Sequence, residues 1–210
     1  MVFGFMYYIE YGKNIMIEDH WDLFGPGDVP GYLCAEDIPA IEFLSKKIKP
    51  DGTLVEIGAF LGKSSVEWAK HLPNSKIICI DGFNSPYHVL KQLLIQADFQ
   101  VPQGPCTHRQ MFDYYTKEYQ NIFAVEGFFN KTFGYPGKAD FVFEDSTHTG
   151  EYLEFALPFW WKHIKSGGIL AGHDYDDEVK TAVDLFAVIY NTKIRTVAEG
   201  SSIWYTIKDE

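Results

Sequence analysis

Two short stretches of the chain set a histidine close to carboxylates: Asp145-Ser146-Thr147-His148 and His173-Asp174. Histidine titrates near neutral pH, so it is the side chain best matched to taking a proton from a hydroxyl there. A neighbouring carboxylate orients the ring or binds a divalent cation. The acidic run continues through Asp176, Asp177 and Glu178. Asp177 and Glu178 stand at the head of a helical pattern, where the helix dipole favours negative charge. The other five histidines, His20, His71, His88, His108 and His163, are assigned no role.

A third stretch, EIGAFLGKSS from Glu56 to Ser65, lies between an apolar run and a helical one. Glycines at such a strand-to-helix turn allow a ligand to approach the backbone at the helix N-terminus. Three ligands compete for it. A phosphate-binding P-loop has a longer gap before its Gly-Lys-Ser than the three residues that separate Gly58 from Gly62. A dinucleotide loop needs a middle glycine to admit the pyrophosphate, and Phe60 stands there instead. S-Adenosylmethionine carries no phosphate and needs only a glycine-bearing turn for its methionine and ribose. Asp81 ends the next apolar run, 19 residues after Gly62, where an acidic side chain can accept both ribose hydroxyls of an adenosyl ligand. The alternative is that Asp81 merely starts a turn with Gly82. Glu56 is a second carboxylate in the same crevice, suited to a cationic amino group.

These residues need elements to hold them. LVEIG (54–58), KIICID (76–81), IFAVEG (122–127), DFVFED (140–145) and GILAGHD (168–174) are near-continuous apolar runs, the pattern of strands buried on both faces. Between them, Ser64 to Leu72 reads as a helix opened by a Ser64/Glu67 capping box and stopped by Pro73. Leu153, Leu157, Trp160 and Ile164, and then Val179, Ala182, Val183 and Phe186, each make one apolar helical stripe. Strand-helix alternation predicts a parallel, doubly wound α/β sheet. KIRTVA (193–198) and SIWYTIK (202–208) are separated by only three residues, too few for a parallel crossover, so they pair antiparallel and close a mixed seven-stranded sheet. Ile38, Ile41, Leu44 and Ile48 predict a helix ending at Pro50, within an N-terminal helical appendage over residues 1–52. Residues 1–15 show no helix or strand periodicity. The main domain then spans 53–210, and the 38 residues from Phe83 to Gln120 form an enlarged, lid-like connection.

Composition narrows the partners. The 210 residues are 46% hydrophobic and 22% charged, which fits one large globular domain with an appendage. The net charge of −11 repels phosphate backbones and anionic lipid, so neither nucleic acid nor a membrane is expected as partner. No apolar stretch is long enough for a membrane helix, and the run Val2 to Ile9 lacks the flanks of a signal peptide. Three scattered cysteines, Cys34, Cys79 and Cys106, suit a reducing cytoplasm. Self-association as a homodimer leaves no mark at this level.

The order VEIGAFLGKSS, IICIDGF, ADFVFEDSTH and WWKHIKSGGILAGHDYDDEVKTAVDLF, over about residues 50–208, resembles the class I S-adenosylmethionine-dependent methyltransferases. More narrowly, it is similar to small-molecule O-methyltransferases that include sugar-modifying macrolide enzymes. The resemblance implies a Rossmann-like sheet of order 3-2-1-4-5-7-6 with strand 7 antiparallel. It implies S-adenosylmethionine held by Glu56, Gly58, Ala59, Phe60, Gly62 and Ser64, by Asp81, Gly82 and Phe83, by Glu126 and Gly127 near the adenine, and by Asp145. The chain departs from the pattern at Thr147, where a second Asp is usual.

An alcohol oxygen is a poor nucleophile while protonated, so a base or a metal is expected. His148 or His173 would take the proton, with Asp145 orienting it. Some relatives bind magnesium at these two strand ends, and the corresponding set here is Asp145, His173 and Asp174, although His173 departs from the all-oxygen shell magnesium prefers. The expected activity is methyl transfer to an oxygen of a small acceptor such as a sugar or glycosylated metabolite. The competing reading is a cofactor-binding module without turnover, kept open by Thr147 and opposed by the two histidines.

Overall fold

The computed structural model describes residues 7–10, 13–16, 29–129, 134–197 and 199–209, the first two stretches by backbone alone. His20 and Ala198 lie outside them. The apolar runs become β3 (Thr53–Ile57), β4 (Lys76–Asp81), β5 (Ile122–Glu126), β6 (Ala139–Glu144) and β7 (Ile164–Gly172), followed by β8 (Arg195–Thr196) and β9 (Trp204–Ile207). They form one seven-stranded sheet of order β5-β4-β3-β6-β7-β9-β8. Counted from β3, this is 3-2-1-4-5-7-6. The pairs among β3 to β7 are parallel, and β9 runs antiparallel to both β7 and β8. The Rossmann-like sheet and its reversed strand are as the sequence predicts.

Both faces of β3, β4, β6 and β7 are covered, which is why they read as unbroken apolar runs rather than alternating ones, whereas the edge strand β5, expected to be buried on both faces, leaves Phe123 and Val125 exposed. Leu54, Cys79, Phe141, Phe143, Ile169 and Ala171 point to one side, against α1 (Asp37–Ser45) and α2 (Lys63–His71). Val55, Ile57, Ile80, Val142 and Leu170 point to the other, against α5 (Gly150–His163) and α6 (Asp177–Ile189). The connection after β4 contains α3 (Tyr87–Gln96) and α4 (His108–Thr116), which share a small core of Leu61, Leu90, Leu93, Leu94 and Met111. Among the described residues no helix is long and apolar enough to cross a membrane.

Three local expectations change. The backbone of Tyr7–Glu10 (β1) and Lys13–Met16 (β2) makes an antiparallel hairpin where the sequence shows no periodicity, because apolar Tyr7–Ile9 and polar Lys13–Asn14 come in blocks rather than in a two-residue alternation. The predicted capping box of α2 is not formed. Gly62, at φ +94°, turns the chain straight into the helix, Ser64 lies inside the first turn, and Glu67 pairs with Lys70 at 2.6 Å. The strand expected over 193–198 is cut to Arg195–Thr196.

The chain fills β3, β4 and β5 outward on one side before crossing to β6, so strand order reverses between β3 and β6. Gly58 leaves β3 at that point with φ +87°, and a Cβ added to it would lie 2.1 Å from the carbonyl oxygen of Asp145 as that residue leaves β6. No side chain fits between these two exits. Replacing Gly58 with Ala is therefore expected to combine left-handed strain with a backbone clash and cost over about 3 kcal/mol in denaturant unfolding. Gly104, at φ +78° with open space around it, isolates the strain alone, so Gly104→Ala should cost about 1 kcal/mol.

Candidate functional site

Parallel pairing brings the carboxyl ends of five strands level. Ile57 pairs with Ile80 and with Glu144, Asp81 with Glu126, and Glu144 with Gly172. The ladder continues one step further through Gly58 N–H to the Ile80 carbonyl (2.9 Å), Asp145 N–H to that of Ile57 (2.9 Å) and His173 N–H to that of Glu144 (3.2 Å). Glu126, Asp81, Gly58, Asp145 and His173 thus form one row across the sheet edge, centred on the strand-order reversal where open α/β sheets bind ligands.

On the β3–β4 side, Asp81 is a hub. Its Oδ2 accepts the Phe60 N–H (2.9 Å) and its Oδ1 accepts the Phe83 N–H (2.7 Å), so it ties the first loop to the second while each oxygen keeps a further lone pair. It does more than start a turn with Gly82. Phe60 and Phe83 both adopt positive φ, 47° and 43°, which is uncommon for large residues and marks a loop held by its surroundings. His108 supplies part of that hold. The ring hydrogen-bonds the Phe60 carbonyl through Nε2 (3.0 Å) and accepts the Ser85 N–H at Nδ1 (3.3 Å), which makes Nε2 the protonated nitrogen. Burial lowers its pKa and keeps it neutral. A lone histidine in a long connection gave no sequence signal for this.

The other first-loop residues divide by exposure. Ala59 and Ser64 are buried, and the Phe83 ring packs beside His108 and Phe112, so Phe83 faces the crevice only through its backbone. Gly62 has its own protein neighbour, since an added Cβ would lie 2.5 Å from Thr116 Cγ2. Beyond β4, the half-exposed Phe128 ring lies across Gly82, and Gly127 has open space beside it. Glu56 is not an open crevice carboxylate. It is wholly buried under α2, hydrogen-bonded by Ser65 and approached by the Cys79 thiol at 3.3 Å. Burial drives its carboxyl up to about 7, and its Oε1 has no hydrogen-bond partner among the described residues. An amino group reaching under the loop would supply one. This orphaned oxygen, the Asp81 lone pairs and the open edge at Gly127 fit S-adenosylmethionine.

On the β6–β7 side stand the paired histidines. His173 Nε2 donates to Asp37 Oδ2 at 2.9 Å, and its Nδ1 lies 3.0 Å from Asp174 Oδ1 and 3.7 Å from Asp145 Oδ1. Burial alone would lower its pKa, but the carboxylates of Asp174, Asp37 and Asp145 outweigh that and push it up to about 11. Burial would raise Asp37, and the His173 cation instead holds it down at about 2. Both ring nitrogens of His173 are thus engaged by carboxylates, which places it to hold Asp37 and Asp174 in position and leaves neither nitrogen for an acceptor's proton, against the expectation of a base there. His148 is half exposed, with Nε2 3.1 Å from Asp174 Oδ2 and 3.8 Å from Asp145 Oδ1, and its Nδ1 has no hydrogen bond among the described residues. Burial again lowers its pKa, but the Asp145 and Asp174 carboxylates carry it above the ordinary value. Asp174 curls back between the two rings through φ +53°, a conformation that Asp tolerates.

Beneath them, Glu144 is buried and raised to about 7 by desolvation; its Oε1 accepts the Ser146 N–H (3.2 Å) and hydroxyl (2.5 Å), fixing the turn that carries Asp145 and His148. An open cavity of about 360 Å³ lies over this side, lined by His148, Asp174, Asp176, Asp177, Glu178 and Val179. Asp145, His148 and Asp174 each offer a ligand atom within 4.8 Å of the others. Magnesium does not fit them, because one donor is an imidazole and each Asp174 oxygen already meets a histidine nitrogen.

A family model described as "Methyltransferase domain" matches residues 55–175, more than half of the chain and the span from β3 to the end of the His173-Asp174 segment. No curated protein gives a significant match. Among solved structures, the O-methyltransferase NovP is 14% identical, with a TM-score of 0.62 over 86% of this chain and 82% of that one. A putative O-methyltransferase from Klebsiella pneumoniae is 13% identical, with a TM-score of 0.55 over 87% and 84%. An O-methyltransferase from Bacillus cereus in complex with SAH is 12% identical, with a TM-score of 0.55 over 84% and 82%. At these identities the structures share the fold, and the matched family carries the assignment: the chain belongs to the methyltransferase-domain family and is a class I S-adenosylmethionine-dependent methyltransferase.

Proposed function

We propose that the enzyme transfers a methyl group to an oxygen of a small acceptor, a sugar or glycosylated metabolite, with His148 as general base. The observation that carries this reading is the His148 ring at the wall of an open cavity, with Nε2 held by Asp174 and Nδ1 without a hydrogen bond among the described residues. Bound S-adenosylmethionine would supply a methyl group on a sulfonium, already an excellent leaving group. The chain's task is then to orient two molecules and accept one proton.

Asp81 would take the ribose hydroxyls, Glu126 and Phe128 would border the adenine, and the Gly58–Gly62 turn with Glu56 beneath it would receive the methionine end. Asp81, Glu126, Asp145 and Asp174 make this edge negative, which favours a sulfonium cation. An acceptor hydroxyl in the cavity would attack the methyl carbon in line as the carbon–sulfur bond breaks. Its proton would pass to His148 Nδ1, and Asp145 and Asp174 would stabilise the resulting imidazolium. A module that only bound the cofactor would have no use for this ring.

Asp81→Ala should weaken S-adenosylhomocysteine binding in titration calorimetry by at least about tenfold, since charge-assisted hydrogen bonds contribute roughly 1.5–3 kcal/mol. Undiminished binding would remove Asp81 from the cofactor site. His148→Gln should lower kcat with an identified acceptor by about 10²–10⁴ and leave S-adenosylhomocysteine affinity unchanged. A base must be deprotonated to act, and the His148 pKa is raised, so the wild-type rate should climb with pH through a midpoint above the ordinary histidine value of 6.5. A flat profile, or turnover lost in chelator and restored by magnesium, would contradict the assignment.

A further inference from the structure

Asp37 lies 136 residues from His173 in sequence, yet its carboxylate is the partner of His173 Nε2 at 2.9 Å. It is the first residue of α1 and is wholly buried. Every other bond it makes ties it down. The Ser201 hydroxyl donates to Oδ1 at 2.8 Å, and the Cys34 N–H and thiol donate to Oδ2 at 3.1 and 2.8 Å. Asp37 therefore joins the N-terminal helix, the loop before β9 and the end of β7 at one point.

A buried ion pair is weak evidence for stability, because desolvation offsets much of its attraction and apolar packing often does as well. What it supplies here is direction. An imidazole pinned at Nε2 cannot rotate about its Cβ–Cγ bond, so Nδ1 stays aimed at Asp174 Oδ1, 3.0 Å away. The opposite oxygen of Asp174 is then left facing His148 Nε2 at 3.1 Å. We propose that Asp37 is a positioning residue for the methyl-acceptor side of the site, acting through His173 and Asp174 to set the direction of the His148 ring. This inference rests on the reading of that edge as a methyl-transfer site. Asp37 itself touches neither the cofactor crevice nor the cavity over His148. Without it the His173 ring is free to flip, and Asp174 loses the contact that holds its left-handed backbone.

The test follows the histidine ring signals by long-range ¹H–¹⁵N NMR in ¹⁵N-histidine-labelled full-length protein. In Asp37→Asn, the signals of His173 and of His148, which Asp37 does not touch, should both shift, whereas those of the exposed His71 and His88 stay in place. A shift at His173 with none at His148 would overturn the proposal and leave Asp37 a purely structural role. Should Asp37→Asn not fold, Ser201→Ala removes one tether and keeps the Asp37–His173 pair. It should then shift the ring signals of both His173 and His148 away from their wild-type positions, and a shift at His173 with none at His148 would overturn the proposal. S-Adenosylhomocysteine affinity, measured by calorimetry on the same samples, should agree within twofold between wild type and variant. Loss of more than tenfold in the variant would contradict a role confined to the acceptor side. Failure of wild type to bind would count against the methyltransferase reading and leave the histidine coupling standing.

Discussion

β3 and β6 leave the sheet side by side in opposite senses of the winding, and the gap between their exits is closed by backbone against backbone. Gly58 lies so close to the Asp145 carbonyl that no side chain can intervene. Everything functional on this edge is measured from that contact. To one side lie Asp81 and Glu126, to the other Asp145 and His173, all at one level because the parallel register carries the alignment across five strands. A shift of one residue at any strand would move its terminal side chain to the opposite face and break the row.

The two halves of the row differ in electrostatics, and the proposed division of tasks rests on that difference. Asp81 is satisfied by backbone N–H groups and stays open to hydroxyls, a recognition geometry. Across the reversal, three carboxylates and two imidazoles share a small volume, and their environments push the two histidines into different roles. His173 is enclosed by Asp37, Asp174 and Asp145, whose carboxylates raise its pKa and hold the ring in place. His148 lines the cavity with Nε2 held by Asp174 and, among the described residues, no hydrogen bond at Nδ1, the nitrogen the proposed function uses. One ring fixes the carboxylates, and in the proposed function the other would use them.

Much of this was legible in the sequence because it rests on local rules. Near-continuous apolar runs mark the strands, even the edge strand β5 that leaves Phe123 and Val125 exposed, and the three residues between KIRTVA and SIWYTIK force the antiparallel end of the sheet. The first loop, Asp81 and the two histidine-carboxylate segments were marked by residue type and spacing. What the sequence does not show depends on contacts between distant segments. Asp37 reads as an acidic residue at a helix start, and nothing near it in the chain announces a histidine 136 residues away. His108 looked like any lone histidine in a long connection, though it pins the Phe60 loop. Ser64 and Glu67 have capping-box spacing, but a left-handed Gly62 made the cap unnecessary, and Glu56 faces into the core because α2 covers it.

The central claim is that one row of strand ends binds the methyl donor on one side of the reversal and the acceptor on the other. A crystal structure at saturating S-adenosylhomocysteine tests it most directly. Density running from Glu126 past Asp81 and Gly58, with the ribose on Asp81 and the sulfur directed toward the Asp145–His148 cavity, is the predicted result. Ligand bound elsewhere, or an empty crevice at saturation, would contradict it.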